Sequence, residues 1–283
     1  MIKRVITFSA VMALVACNNS TPSTDASADT KKDTAKKEAP SQPTNDLADF
    51  KFHTLVVNIP SPFEIITLLP KSNTPFNKAL INVTENESKY TTSTKKGLNY
   101  GSYIVDLVYL SSNEQFSQVK PYFKTTHNLA QSLGCAESFD KIGGNRLEKN
   151  IDKKDTINKV IDEIYTEMDS YLRSNDRLLS ATQILVGSWI ESQFITVSLV
   201  KDQAKTKDNE ILFQKISEQG NTIDKLVELL KEFEKEKDFL PCINDLKDLS
   251  KLYKDVKPGA EIDKSVLSKI YDKLNSTRTK VIS

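Results

Sequence analysis

Hydrophobic residues recur along this chain at steps of three and four rather than two. Ile157, Val160, Ile161, Ile164, Tyr165, Met168, Tyr171 and Leu172 form one apolar stripe with Asp, Glu and Lys opposite, which predicts a surface helix. The same spacing returns in Ile223, Leu226, Val227, Leu230 and Phe233, in Leu246, Leu249, Leu252, Tyr253 and Val256, and in Val266, Leu267, Ile270, Tyr271 and Leu274. No sustained alternation demands a sheet. Leu55 to Ile59 alone reads as a short strand or extended lead-in, stopped by Pro60 and Pro62 ahead of helix-like residues 63–69. Beyond residue 76 the only prolines are Pro121, Pro241 and Pro258, so long stretches are free to be helical.

Two segments are apolar on nearly every side and read as central. Residues 178–200 would suit a membrane span by length. Gln183, Ser188, Glu191, Ser192 and Gln193 lie inside the run, and a carboxylate near mid-bilayer is costly without a partner, so a buried core helix is expected instead. The other segment is residues 96–111, where Leu98, Ile104, Val105, Leu107, Val108 and Leu110 leave a narrow polar strip. The expected fold is all-α, an irregular multi-helix bundle of antiparallel helices over residues 50–283.

The first 49 residues follow other rules. Lys3 and Arg4 precede a run from Val5 to Ala16 that is apolar apart from Thr7 and Ser9, the pattern of a secretory signal too short to span a bilayer. Leu14-Val15-Ala16-Cys17 resembles the lipobox of bacterial lipoproteins. That resemblance implies cleavage after residue 16 and a diacylglycerol on Cys17, an anchor of two or three acyl chains where one would hold only marginally. From Asn18 to Asn45 the only hydrophobic residues are Ala26, Ala28, Ala35 and Ala39, and nothing there offsets the entropy of ordering. Residues 17–49 therefore read as a lipidated, disordered tether with an r.m.s. span of roughly 30 Å.

A second resemblance rests on Gly97-Leu98-Asn99-Tyr100-Gly101-Ser102-Tyr103-Ile104-Val105-Asp106-Leu107-Val108-Tyr109, with Ile59-Pro60-Ser61-Pro62-Phe63-Glu64 before it and Gly187-Ser188-Trp189-Ile190-Glu191 after it. Over about residues 50–200 the chain is similar to a family of helical lipoproteins from Bacteroidota-type bacteria that has no assigned activity. The resemblance implies a Gram-negative source and an all-α domain, and it supplies no catalytic residue.

Charge and composition narrow the chemistry. With 39 Lys+Arg against 38 Asp+Glu and no basic block, the chain lacks the footprint of a nucleic-acid binder. Two histidines cannot by themselves build the three-ligand zinc sites that use His, and no metal or cofactor site is read. Gly187-Ser188-Trp189 is not a nucleophile elbow, Gly143-Gly144 reads as a turn, and neither His53 nor His127 has an adjacent catalytic motif. No catalytic residue is assigned.

What remains is the polar strip. Asn99, Tyr103 and Asp106, spaced by four and three, share one helix face. Ser180, Ile184, Gly187, Glu191 and Ser198 share a face of the other central helix, where small residues permit close approach. Asn99, Tyr103, Asp106 and Glu191 then either line a small-ligand pocket or form a buried hydrogen-bond network, in which Asp106 needs a partner. With Cys17 acylated, Cys135 and Cys242 are the only thiols in an exported chain, which makes them a candidate disulfide; the alternative is two separate buried thiols. Gly134 is expected to end a helix, and Cys242, after Pro241, to lie in a first turn where the helix dipole favours its thiolate.

Together these features describe an exported protein, lipid-anchored to the bacterial envelope at the outer membrane. It is expected to act as a non-catalytic interaction or structural module on an envelope protein partner. The alternative function is small-ligand binding or sensing along the polar strip.

Overall fold

The structure, a computed structural model, describes residues 54–257 and 261–283, all within the compact unit Asn45–Ser283. The signal and tether assignments, with Cys17, and the reading of His53 lie outside the described residues. Among the described residues there is no strand, and residues 54–57 form a helical turn where Leu55 to Ile59 reads as a strand or extended lead-in. The fold is an all-α multi-helix bundle. Its helices are α1 (Phe63–Leu68), α2 (Ser93–Ser112), α3 (Phe116–Ser132), α4 (Ala136–Ile142), α5 (Gly144–Glu148), α6 (Lys154–Ser174), α7 (Leu178–Val200), α8 (Glu210–Leu230), α9 (Leu240–Tyr253) and α10 (Lys264–Ile282). Short 3₁₀ turns at Leu69–Ser72, Lys78–Leu80 and Thr84–Lys89 carry the chain from α1 to α2.

The two apolar segments are the two central helices. Every residue of α2 from Gly97 to Ser112 is buried, and so is most of α7, which is long and apolar enough to cross a membrane yet is enclosed by the other helices. Helices α3 and α6 cover α2 on one side, while α8 and α10 cover α7 on the other, with α9 outside them. Among the described residues the hydrophobic core runs continuously through this unit.

Close packing of α2 on α7 depends on two glycines. A Cβ at Gly101 would overlap the Ile184 carbonyl and come within 2.6 Å of the Ser188 nitrogen, and one at Gly187 would overlap the Leu98 carbonyl and stand 2.7 Å from its carbon. The backbones touch where neither helix has a side chain. Gln183 Nε2 donates to Thr94 Oγ1 at 3.0 Å at one end, and Asp106 meets Glu191 at the other. The order of these contacts shows that α2 and α7 run parallel. Helix α10 is antiparallel to both, bringing Val281 to Asn99 and Arg278 to Glu191.

Helix ends follow local chemistry. Thr92 caps α2 by accepting the Lys95 N–H at 3.2 Å, and Asp263 caps α10 by accepting that of Ser265 at 2.7 Å. At the end of α3, Gly134 has φ +70°, the Cys135 N–H donates to Ala130 O at 2.8 Å and the Gly134 N–H to Gln131 O at 2.9 Å, closing a Schellman motif at the glycine expected to stop the helix. Pro121 stays inside α3 instead of ending it.

Candidate functional site

Asn99, Tyr103 and Asp106 rise from α2 along one face and meet Glu191 from α7, all four completely buried. The parallel crossing makes this meeting, since contact at Gly101 and Gly187 leaves the next turns of both helices side by side. Arg278 enters from α10. Its Nε donates to Glu191 Oε2 at 2.8 Å and its Nη2 to Oε1 at 2.6 Å, a fork on a carboxylate, and Nη2 also reaches Leu80 O at 2.8 Å. The guanidinium lies 4.4 Å from the ring centre of Phe194, a cation–π contact on its open face. Burial opposes the charge on Arg278, and Glu191 first, with Asp106 and Tyr90 after it, more than offsets that.

Asp106 is the second carboxyl. Its Oδ2 accepts the Asn82 N–H at 3.0 Å, while Oδ1 has no nitrogen or hydroxyl partner. Burial first, and then the negative charge of Glu191, push the Asp106 carboxyl well above the ordinary range, against the pull of Arg278 and of the Asn82 N–H. Glu191 takes the guanidinium, so the buried Asp106 carboxyl beside it favours its protonated form. One guanidinium and two carboxyls are thus balanced by a proton on Asp106.

The irregular segment before α2 closes the site. Asn82 gives its N–H to Asp106, its Nδ2 to Tyr90 Oη at 2.8 Å and its carbonyl to the Tyr122 hydroxyl at 2.6 Å, and its Oδ1 accepts from Asn86 at 2.7 Å. Tyr103 donates to Val83 O at 2.7 Å, and Asn99 Nδ2 donates to Lys95 O and Val281 O, each at 2.9 Å. Burial pushes the Tyr103 and Tyr122 hydroxyls up, so both remain donors. The strip is therefore a hydrogen-bonded network rather than a ligand pocket: Asp106 and Glu191 have no exposed surface, and their neighbours spend their polar atoms on protein.

The larger cavities lie elsewhere. One of about 260 Å³ is bordered by Lys95, Leu98, Pro241, Cys242, Asp245 and Lys280, and another of about 850 Å³ lies over α3, α4 and α5; none of the four strip residues is on the wall of either. Among the described residues, no group of three or more His, Cys, Asp or Glu side chains is placed to hold a metal ion. His127 stands 3.1 Å from Asp140 and edge-on to the Phe139 ring.

The disulfide considered between Cys135 and Cys242 is not formed, and both thiols are free and buried. Each is held in its own neighbourhood. Cys135, at the Schellman turn, donates to Leu133 O and accepts from Arg177 Nη1, both at 3.4 Å, whereas Cys242 sits in the first turn of α9. Burial first, then Asp245, push the Cys242 thiol up to about 12 against the pull of Lys280, so the helix dipole does not yield the expected thiolate.

Sequence reasoning missed Arg278, Asn82, Tyr90 and Tyr122. Arg278 had a signal: it continues the buried stripe Leu267, Ile270, Leu274, and a charge in that register calls for a buried partner. Asn82 has none, because it lies in an irregular segment without periodicity. Compared with models of known protein families, with curated proteins and with solved structures, the chain matches none.

Proposed function

We propose that the protein is an exported lipoprotein, anchored through Cys17 and displayed on the 17–49 tether, whose helical domain is a non-catalytic interaction or structural module of the bacterial envelope. The N-terminal pattern and the lipoprotein resemblance support the anchor. The observation that carries the non-catalytic reading is the enclosure of the polar centre. Its only carboxyl pair has no route to a substrate, and its polar residues bond to one another and to backbone carbonyls. A ligand held along the central strip has lost its support for the same reason.

Metabolic labelling with a clickable fatty acid tests the anchor. The chain should be labelled, and Cys17→Ser should abolish labelling and leave the precursor unprocessed. Continued labelling of the serine variant would contradict the assignment.

A further inference from the structure

Residues 74–92, between the Leu69–Ser72 turn and α2, are attached to the polar centre through their backbone. The Asn77 N–H donates to Tyr109 Oη at 2.9 Å and the Asn82 N–H to Asp106 Oδ2 at 3.0 Å. The carbonyls of Leu80, Asn82 and Val83 accept from Arg278 Nη2, Tyr122 Oη and Tyr103 Oη at 2.8, 2.6 and 2.7 Å. These partners come from α2, α3 and α10, whereas bonds within the segment, such as Leu80 N–H to Asn77 O and Asn86 N–H to Val83 O, close single turns. Ile81 and Tyr90 are buried, Phe76 and Leu80 are half-buried, and Val83 is 53% exposed. An irregular segment with so few buried apolar side chains opens at lower cost than a packed helix. Its ends are defined breaks: Asn73 stands at φ 51° after the turn, and Thr92, with ψ 154°, caps α2.

We propose that residues 74–92 are a strap that opens as a unit while the helices stay packed, and that Asp106 is its latch, holding the strap when protonated and releasing it when ionised. The closed strap seals this carboxyl, which has no exposed surface and whose Oδ1 has no nitrogen or hydroxyl partner. Facing it are Glu191 on α7, Arg278 on α10, Tyr122 on α3, Tyr90 on the strap, and Tyr103 and Tyr109 on α2 itself. Burial pushes the tyrosine hydroxyls up, so they stay neutral, and Arg278 is taken by Glu191. Ionised Asp106 is then a second carboxylate beside one guanidinium, and lifting the strap admits water to it. The Asn82 N–H pulls the other way, because it bonds an ionised acceptor more strongly, but burial is the larger influence and the one that opening relieves. Above the ordinary carboxylate range the closed form therefore holds a proton that the open form has released. Each pH unit favours opening by up to about tenfold until the closed form ionises as well.

Hydrogen exchange of the full chain, followed by mass spectrometry of peptides from 74–92 and from the enclosed helix α7, tests the latch independently of the anchor. After division by the intrinsic exchange rate at each pH, the strap amides should report an opening more frequent than the global unfolding that α7 reports. That opening should be insensitive to low urea, which promotes only openings that expose much surface. It should rise with pH by up to about tenfold per unit in the parent. In Asp106→Asn, which keeps an acceptor for the Asn82 N–H and cannot ionise, it should stay flat. Tyr122→Phe removes one bond from the strap and leaves the latch in place, so it should raise opening roughly tenfold with the pH dependence kept. The proposal is overturned by strap amides that exchange only as fast as those of α7, by an opening that does not change with pH in the parent, by a pH dependence that survives in Asp106→Asn, or by strap exchange in Tyr122→Phe equal to the parent's.

Discussion

Arg278 grips Glu191 through two nitrogens from 87 residues away in sequence, and the pair is buried on both sides, with Arg278 7% and Glu191 0% exposed. This contact ties α10 to α7 at the level where Asp106 comes across from α2. A buried ion pair adds little over a hydrophobic pair, but removing one partner leaves an uncompensated charge. Arg278→Ala should therefore cost about 3–5 kcal/mol in denaturant unfolding of the chain from Asn45. Arg278→Lys should recover only part of the loss, because an ammonium cannot fork onto the carboxylate and reach Leu80 O as well. An unchanged midpoint in the alanine variant would show that the pair carries no structural role.

Gly187→Ala should destabilise the protein although alanine is the better helix former by about 1 kcal/mol. Its methyl group would overlap the Leu98 carbonyl, so the helices must separate, at a cost of about 1–3 kcal/mol or more. Gly144→Ala is the control, because a Cβ there meets open space, and its midpoint should stay within about 0.5 kcal/mol of the parent. Equal effects of the two substitutions would contradict the close crossing.

Both cysteines should react as thiols only after unfolding. Alkylation under denaturing, non-reducing conditions should add two groups to the chain from Asn45, and native alkylation should be slow at Cys242, whose thiol is held up to about 12. A mass showing no alkylation without reductant would establish the disulfide instead.

The helices were legible because their signal is local. The stripe from Ile157 to Leu172 needs only the step of three and four that puts it against a core, and α7 keeps the bounds its composition suggests. Gly187 was legible as a small residue on a shared face, but its counterpart Gly101 was not, since pairing two helices requires knowing which helices cross. The helix stops divide in the same way. Gly134 announces its positive φ, whereas Glu114 and Asp176 end α2 and α6 at φ 58° and 56° with side chains that do not advertise it. The polar strip was half visible: four residues came from spacing on two helices, and the residues that seal it came from an irregular loop and from α10. Long-range closure is set by topology, which one helix's periodicity does not encode.

The proton held on Asp106 beside Glu191 is the central claim, and a pH series on Asp106→Asn tests it most directly. An unfolded aspartate titrates near 3.8, and burial beside Glu191 raises the folded value well above that. Between the two values the folded state holds a proton that the unfolded state has released. The contribution of Asp106 is therefore fully favourable below the unfolded value and is lost as pH rises toward the folded one, by up to about 1.4 kcal/mol per pH unit. Asparagine imitates the protonated acid, accepting from Asn82 without titrating, while Asp106→Ala leaves the Asn82 N–H unsatisfied and should cost a few kcal/mol. The stability of Asp106→Asn minus that of the parent should climb as pH rises above the unfolded value, with alanine less stable than asparagine throughout. A difference that stays flat as pH rises above that value, or an asparagine variant as unstable as alanine, would contradict the proton on Asp106.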